Sequence, residues 1–328
     1  MKLVKRILAL ALVVACALSL VACNNATKED GKYTIGICQL LDHPALNAAT
    51  EGFQQALKDI LGEENVTFDY QNAASDANLC LTICNNFVSN NVDLIMANAT
   101  PALTAASKAT KSIPVLGTSI TEYGVALSIE NFDGVVGGNV SGTSDLAPLD
   151  QQAQMIIDLV PTAQTVGILY CSAEANSLYQ VEVVEKYLQD KGLTVKRYAI
   201  ADVNAAAVVS AQASEECDAL YVPTDNTIAG CAQAIYKAMT TKKPLIAGEE
   251  GICTGTGIAT LSISYYDLGY KTGEMAAKVL KGEANISEMP VAYVDTFTKK
   301  YNKAICNDLG IDTAALEAQG FVAIEVAE

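Results

Sequence analysis

Short apolar runs rich in β-branched residues alternate with amphipathic helical segments twice along this chain, and no other feature restricts the fold as much. Tyr33 to Leu41 is such a run, followed by helical spacing from Ala45 to Ile60 with Phe53, Ala56, Leu57 and Ile60 on one face. Val66 to Tyr70 reads as a strand, Asp76 to Val88 as a helix and Val92 to Ala97 as a buried strand. Thr100-Pro101 opens a further helix in cap-then-proline order, and Ile113 to Leu116 is the next strand. After a glycine-rich stretch (Gly134, Gly137, Gly138, Gly142) the rhythm restarts. Helices are predicted over Gln151 to Leu159, Asn176 to Lys191, Asn204 to Ser214 and Thr227 to Met239. The strands between and after them are Thr165 to Tyr170, Leu193 to Ile200, Ala219 to Val222 and Leu245 to Ala247. Strands separated by helices pair in parallel through right-handed crossovers. The expected fold class is therefore α/β, with two doubly wound parallel-sheet lobes. Ligands of such sheets lie beyond the carboxyl ends of the strands, so two facing lobes make a cleft there.

The chain starts with an export signal. Lys2, Lys5 and Arg6 precede an apolar run from Ile7 to Ala22, and Cys23 follows. The run is 16 residues long, short of the roughly 20 that a membrane-spanning helix needs. Leu20-Val21-Ala22-Cys23 resembles the lipobox of bacterial lipoproteins, which makes Cys23 the lipidation site and residues 1–22 the signal peptide. Residues 23–32 read as the lipidated Cys and a polar tether.

Charge and composition remove several functions. There are 21 Lys and Arg against 37 Asp and Glu, a formal charge of −16. Cleavage before Cys23 takes away three cations and no anion, leaving −19 and Arg197 as the one arginine. Such a surface repels nucleic acid. A single His, His43, cannot build a His-rich metal site. Beyond Cys16 and Cys23, eight cysteines sit in apolar strands or helices without the paired spacing of a metal cage, and read as small buried hydrophobes. No Gly-rich phosphate loop stands at any strand-to-helix turn, and no metal or cofactor is expected. The predicted strand ends carry no nucleophile beside a base, so no enzyme activity is expected either.

The strand ends are polar instead. They carry Asp42-His43-Pro44-Ala45-Leu46, Ala99-Thr100-Pro101-Ala102, Gly117-Thr118-Ser119, Gly142-Thr143-Ser144-Asp145, Glu174-Ala175-Asn176-Ser177, Pro223-Thr224-Asp225-Asn226-Thr227 and Gly248-Glu249-Glu250-Gly251. With the lipobox, this ordered set resembles the substrate-binding lipoproteins of the tryptophan/tyrosine-type ABC importers over almost the whole mature chain. One departure is Thr121-Glu122-Tyr123, where the family usually carries a Thr-Asp-Pro turn on the hinge-side wall of the pocket. The resemblance implies a type I periplasmic-binding-protein fold with three crossovers, in which residues 33–145 and 265–290 form the N-terminal lobe and 146–264 and 291–328 the C-terminal lobe. It also implies a monomer anchored to the outer face of the cell membrane through the lipid on Cys23, with an ABC permease and ATPase as partners.

An amino acid as cargo fits the residue types. Its ammonium needs an anion, and Asp225 and Glu250 supply one at strand ends of the second lobe, although Asp225-Asn226-Thr227 reads equally as a helix cap and Glu249-Glu250 as a solvated turn. Its carboxylate needs donors, and amides and hydroxyls at helix starts provide them: Thr100, Ala102, Thr118 and Ser119 in the first lobe, Ser172 and Asn176 across the cleft. Asp145, Glu174 and Asn226 belong to the same motifs. His43 reads either as a structural residue or as a ligand contact, and Tyr265 as a contact or a hinge residue. The expected ligand is an aromatic amino acid (Trp, Tyr or Phe). A ligand-sensing receptor, or a carrier of a branched-chain amino acid, nucleoside or sugar, remains as the other reading.

Overall fold

The computed structural model describes residues 31–294 and 296–324. The expected signal peptide, the expected lipidation site Cys23 and residues 24–30 of the expected tether lie outside the described residues. A first sheet holds β1 (Tyr33–Gln39), β2 (Val66–Asn72), β3 (Leu94–Asn98), β4 (Val115–Ile120), β5 (Val140–Ser144) and β11 (Ala292–Tyr293), in the spatial order β11-β5-β4-β3-β1-β2 with every neighbour parallel. The second holds β6 (Thr165–Cys171), β7 (Thr194–Ile200), β8 (Ala219–Val222), β9 (Leu245–Ala247), β10 (Ala259–Ser262), β12 (Thr298–Tyr301) and β13 (Val322–Ala323). Its order is β13-β12-β10-β9-β8-β6-β7, parallel except between β10 and β12. Strands β3, β4 and β8 are buried along their whole length, because helices cover both faces of a parallel sheet, and that is why they are nearly unbroken apolar runs.

The helices of the first lobe are α1 (Pro44–Leu61), α2 (Ala77–Ser89), α3 (Thr100–Ala109) and α4 (Tyr123–Leu127). Those of the second are α5 (Leu149–Leu159), α6 (Ala175–Asp190), α7 (Val203–Glu216), α8 (Asn226–Ala229), α9 (Ala232–Ala238) and α10 (Glu250–Thr256). After β10 the chain returns to the first lobe through α11 (Tyr265–Leu280), and α12 (Lys303–Asp308) and α13 (Thr313–Ala318) close the second. The alternation is as expected, with two differences. The helix predicted over Thr227 to Met239 is broken into α8 and α9. Gly230, a poor helix former, closes the first turn onto Asn226 O, and the Cys231 amide reaches back to Ile228 O. Strand β5 lies hidden in the glycine-rich stretch, because a Cβ at Gly142, whose φ is +146°, would stand 2.1 Å from Gly117 O. Ala292 and Tyr293 pair with β5, so the first sheet keeps the chain past the expected boundary at residue 290. Seven of the eight cysteines in the described residues are buried and Cys231 is half-buried; all are free thiols.

The returning helix is fused to α1. Ideal Cβ atoms would lie 1.9 Å from Ala49 O at Gly269 and 2.0 Å from Tyr266 O at Gly52, so two glycines let the helices touch backbone to backbone. Beneath them Phe53 and Leu57 pack with Met275 and Ala276. At an open helix position Gly→Ala stabilises by about 0.5–1 kcal/mol, whereas overpacking costs about 1–3 kcal/mol. The contact distance decides the sign: Gly269→Ala should destabilise by about 1–2 kcal/mol, read as a lower urea midpoint at unchanged slope.

Candidate functional site

Strand ends of both sheets meet around a tightly closed cleft with about 10 Å³ of free space, about the room of a single water. His43, Leu46, Ser119, Thr121 and Asp145 line it from the first lobe, and Asn176, Thr224, Asp225, Asn226, Ala229 and Glu249 from the second. Tyr265, at the return passage, completes the wall. No Lys or Arg is among these residues.

The lining is chemically unfinished. Buried side-chain polar atoms normally have partners, yet both ring nitrogens of His43, Ser119 Oγ, Asp145 Oδ1 and Asn176 Oδ1 have none. Local structure aims them. His43 occupies the N-cap of α1, with Pro44 in the first turn, but makes no capping hydrogen bond, so the ring is left to the cleft. Ser119 sits at φ +56° where the pairing of β4 with β5 slips between Gly117 and Ile120. A left-handed residue costs an L-amino acid about 1–2 kcal/mol, and bulges of this kind re-aim side chains. Asp145 follows β5, and its Oδ2 accepts from Tyr265 Oη at 3.0 Å while Oδ1 stays open. Asn176 spends its amide nitrogen on Glu174 Oε2 and Thr224 O, both at 3.1 Å, and keeps its oxygen free.

Three buried carboxyl groups dominate the electrostatics. Burial raises Asp145 to about 6, Asp225 to about 7 and Glu249 to about 7, with the Glu174 charge adding to the rise at Asp225. Backbone amides at helix starts oppose the shift. Asp225 caps α8, accepting from Ile228 N at 2.9 Å, Cys171 N at 2.6 Å and Ser177 Oγ at 2.8 Å. Glu249 caps α10 through Ile252 N at 2.5 Å and Gly251 N at 2.6 Å. Burial pushes His43 the other way, below 6.5, so a neutral imidazole faces the acids.

Of the residues expected from sequence, His43, Ser119, Asp145, Asn176, Asp225, Asn226 and Tyr265 converge on the cleft. Six others do not face it. Glu174 is a fastener: its two oxygens accept from Asn226 N and Nδ2, Thr227 N and Oγ1, and Asn176 Nδ2. Glu250 turns into an adjoining open groove that shares Ala229, Glu249 and Tyr265 with the cleft, and there Lys300 Nζ pairs with it at 2.5 Å. The acid that faces the cleft is its neighbour Glu249, and consecutive residues at a helix start point different ways. Ala102 packs in the first core, Thr100 is buried at the start of α3, and Thr118 accepts from Thr143 Oγ1 at 3.4 Å. Ser172 donates to Ile200 O at the sheet edge. Sequence reasoning missed Leu46, Thr121, Thr224, Ala229 and Glu249. Thr224 and Glu249 each stand two residues past the end of a strand, β8 and β9, within the strand-end segments that mark such residues.

A tyrosine-binding protein of Clostridioides difficile is 37% identical over 282 residues, covering 84% of this chain and 80% of the relative. A Streptococcus pneumoniae ABC domain solved in complex with L-Trp superposes with a TM-score of 0.83 at 34% identity, over 89% of this chain and all of that one. The ligand-free, open form of a substrate-binding protein with adhesive properties from Clostridium difficile gives 0.69 at 36% identity, over 90% and all of the two chains. At nearly equal identity, the chain superposes better on the ligand complex than on the ligand-free, open form. Residues 34–317 match the family described as ABC transporter substrate binding protein, and the chain belongs to that family.

Proposed function

We propose that the cleft captures an aromatic amino acid for an ABC importer. The observation that carries this reading is a closed interlobe cleft with three buried carboxyl groups, no lining cation and five unpartnered polar atoms. An α-amino acid supplies what is lacking. Its ammonium meets the open oxygens of Asp145 and Asn176, in the field of Asp225 and Glu249. Its carboxylate accepts from the Ser119 hydroxyl and from the N–H of neutral His43. Leu46, Ala229 and the Tyr265 ring offer apolar surface to a side chain, and the relatives that bind tyrosine and L-Trp favour an aromatic one. The proposal includes the two lobes as units closing on the ligand, a lipid on Cys23 holding the protein at the outer membrane face, and delivery to a permease and its ATPase.

Thermal unfolding of ligand-stripped protein against amino acids, sugars and nucleosides tests the ligand class. A ligand at a thousand times its Kd should add about 4 kcal/mol, a shift of several degrees. Stabilisation by sugars or nucleosides alone would overturn the assignment. Asp145→Asn should weaken amino-acid binding by about 30-fold or more, since losing one partner of a buried charge pair costs about 2–5 kcal/mol. Glu250→Gln, paired outside the cleft, should change affinity only slightly.

Affinity should also depend on pH. Burial holds protons on the carboxyl groups of the empty cleft, and an ammonium favours their ionised forms, so binding releases protons. Affinity then falls as pH drops through about 7 to 6, by about tenfold per unit for each proton displaced. The ligand-free fold moves oppositely: raised carboxyl pKa values stabilise it as pH falls from about 7 toward the unfolded values near 4, and His43 offsets part of that gain. Calorimetric titration near pH 6 in two buffers of different ionisation heat reads the released protons; identical heats and a flat affinity between about pH 8 and 5.5 would contradict the ammonium assignment.

A further inference from the structure

We infer that Gln39, Thr50 and Asn98 are positioning residues, a buried hydrogen-bond clamp that fixes the segment carrying His43 against the cleft. The inference rests on the reading that the cleft binds ligand through His43. Neither ring nitrogen has a partner at full hydrogen-bond geometry, although Asn226 stands close enough to bear on the imidazole, so the ring's place depends largely on its backbone, and that backbone is gripped at both ends. Gln39 and Asn98 are the last residues of β1 and β3 and lie side by side in the sheet. Both are fully buried and Thr50, on α1, nearly so. Gln39 Nε2 donates to Leu41 O at 2.8 Å, just before Asp42 and His43, and Asn98 Nδ2 donates to Leu46 O at 2.8 Å, just after them. Thr50 joins the two, donating to Gln39 Oε1 at 2.7 Å and accepting from Asn98 Nδ2 at 3.0 Å. Asn47 extends the clamp outward, accepting from Gln39 Nε2 at 2.7 Å and donating to Asp42 Oδ1 at 2.6 Å.

Such a network is not what packing alone selects. The chain neighbours Cys38 and Ala97 are fully buried in the apolar core, and apolar residues at the clamp positions would fill the same space. What they could not do is hold the two carbonyls that bracket residues 42–45. Of the polar side-chain atoms of Gln39, Thr50 and Asn98, Asn98 Oδ1 alone has no partner; the others form a connected buried network, which stiffens what it touches, and here it touches the one loop that presents an imidazole.

His43 is the only histidine, so the imidazole signals in the NMR spectrum of the whole protein have one source. Thr50→Val keeps the shape and deletes the hydroxyl; Thr50→Ser keeps the hydroxyl. In Thr50→Val the imidazole should titrate closer to 6.5 than in the wild type, against the unchanged carboxyl groups of Asp42, Glu174, Asp145, Asp225 and Glu249 that surround it. Its affinity for the aromatic amino acid that binds the wild type should fall by about tenfold, the lower range for losing a supporting partner of a site. Thr50→Ser should restore both. If Thr50→Val does not fold, Asn47→Ala, at the half-buried rim of the clamp, should move the same signals in the same direction. Unchanged imidazole signals in a folded Thr50→Val or Asn47→Ala protein would overturn the inference. The imidazole readings need no ligand, so a wild type that binds no amino acid would sink the ligand assignment while leaving the clamp to be judged separately.

Discussion

Negative charge gathered out of water, with no cation beside it, is the constraint from which the rest of the site follows. Asp145, Asp225 and Glu249 surround one small cleft whose lining has neither Lys nor Arg. An isolated buried carboxylate is expensive, and groups so placed either take up a proton or find donors. Here the fold supplies donors from helix starts. The amides that open α8 and α10 turn toward Asp225 and Glu249, and Glu174 ties the first turn of α8 to that of α6. The helix termini offset part of the charge and leave the remainder to whatever enters the cleft.

The same economy explains why the polar atoms without partners collect in one place. Five of the eight such atoms among the described residues line the cleft. Each is held by a device that would be a defect elsewhere: a His at an N-cap that does not cap, a left-handed Ser at a bulge, an Asp half-satisfied by a tyrosine, an Asn with an idle carbonyl. Local conflicts of this kind mark functional positions, because the surrounding structure has to over-determine them.

Much of this was legible in the sequence, for physical reasons. Parallel strands buried on both faces must be apolar throughout, so β1, β3, β6 and β8 announced themselves, and the residues after them were the natural site candidates. His43, Ser119, Asn176 and Asp225 were found that way. The misses came where one residue's direction mattered. Glu249 and Glu250 are chemically identical and adjacent; which of them faces inward depends on where α10 begins. Thr100 and Ala102 occupy the correct strand end, but the start of α3 lies behind the lining. Strand β5 was invisible because its central Gly142 serves a backbone contact that carries no hydrophobic signal. The clamp under His43 left no trace beyond three polar residues in otherwise apolar surroundings.

The glycine contact between α1 and α11 has a mechanical consequence. Because α11 is locked to α1 from its first turns, the returning chain becomes rigid immediately at Tyr265 and offers no slack beyond it. Asp145 lies on a second of the three passages, between the end of β5 and the start of α5, and its bond to Tyr265 ties these two together at the cleft wall, while the third runs from β11 to β12. Any swing of one sheet against the other has to turn about these three passages, two of which are pinned to each other at the cleft wall. Asp145 therefore stands at the join, where such a swing would displace it least, whereas Asn176, Asn226 and Ala229 belong to the facing lobe.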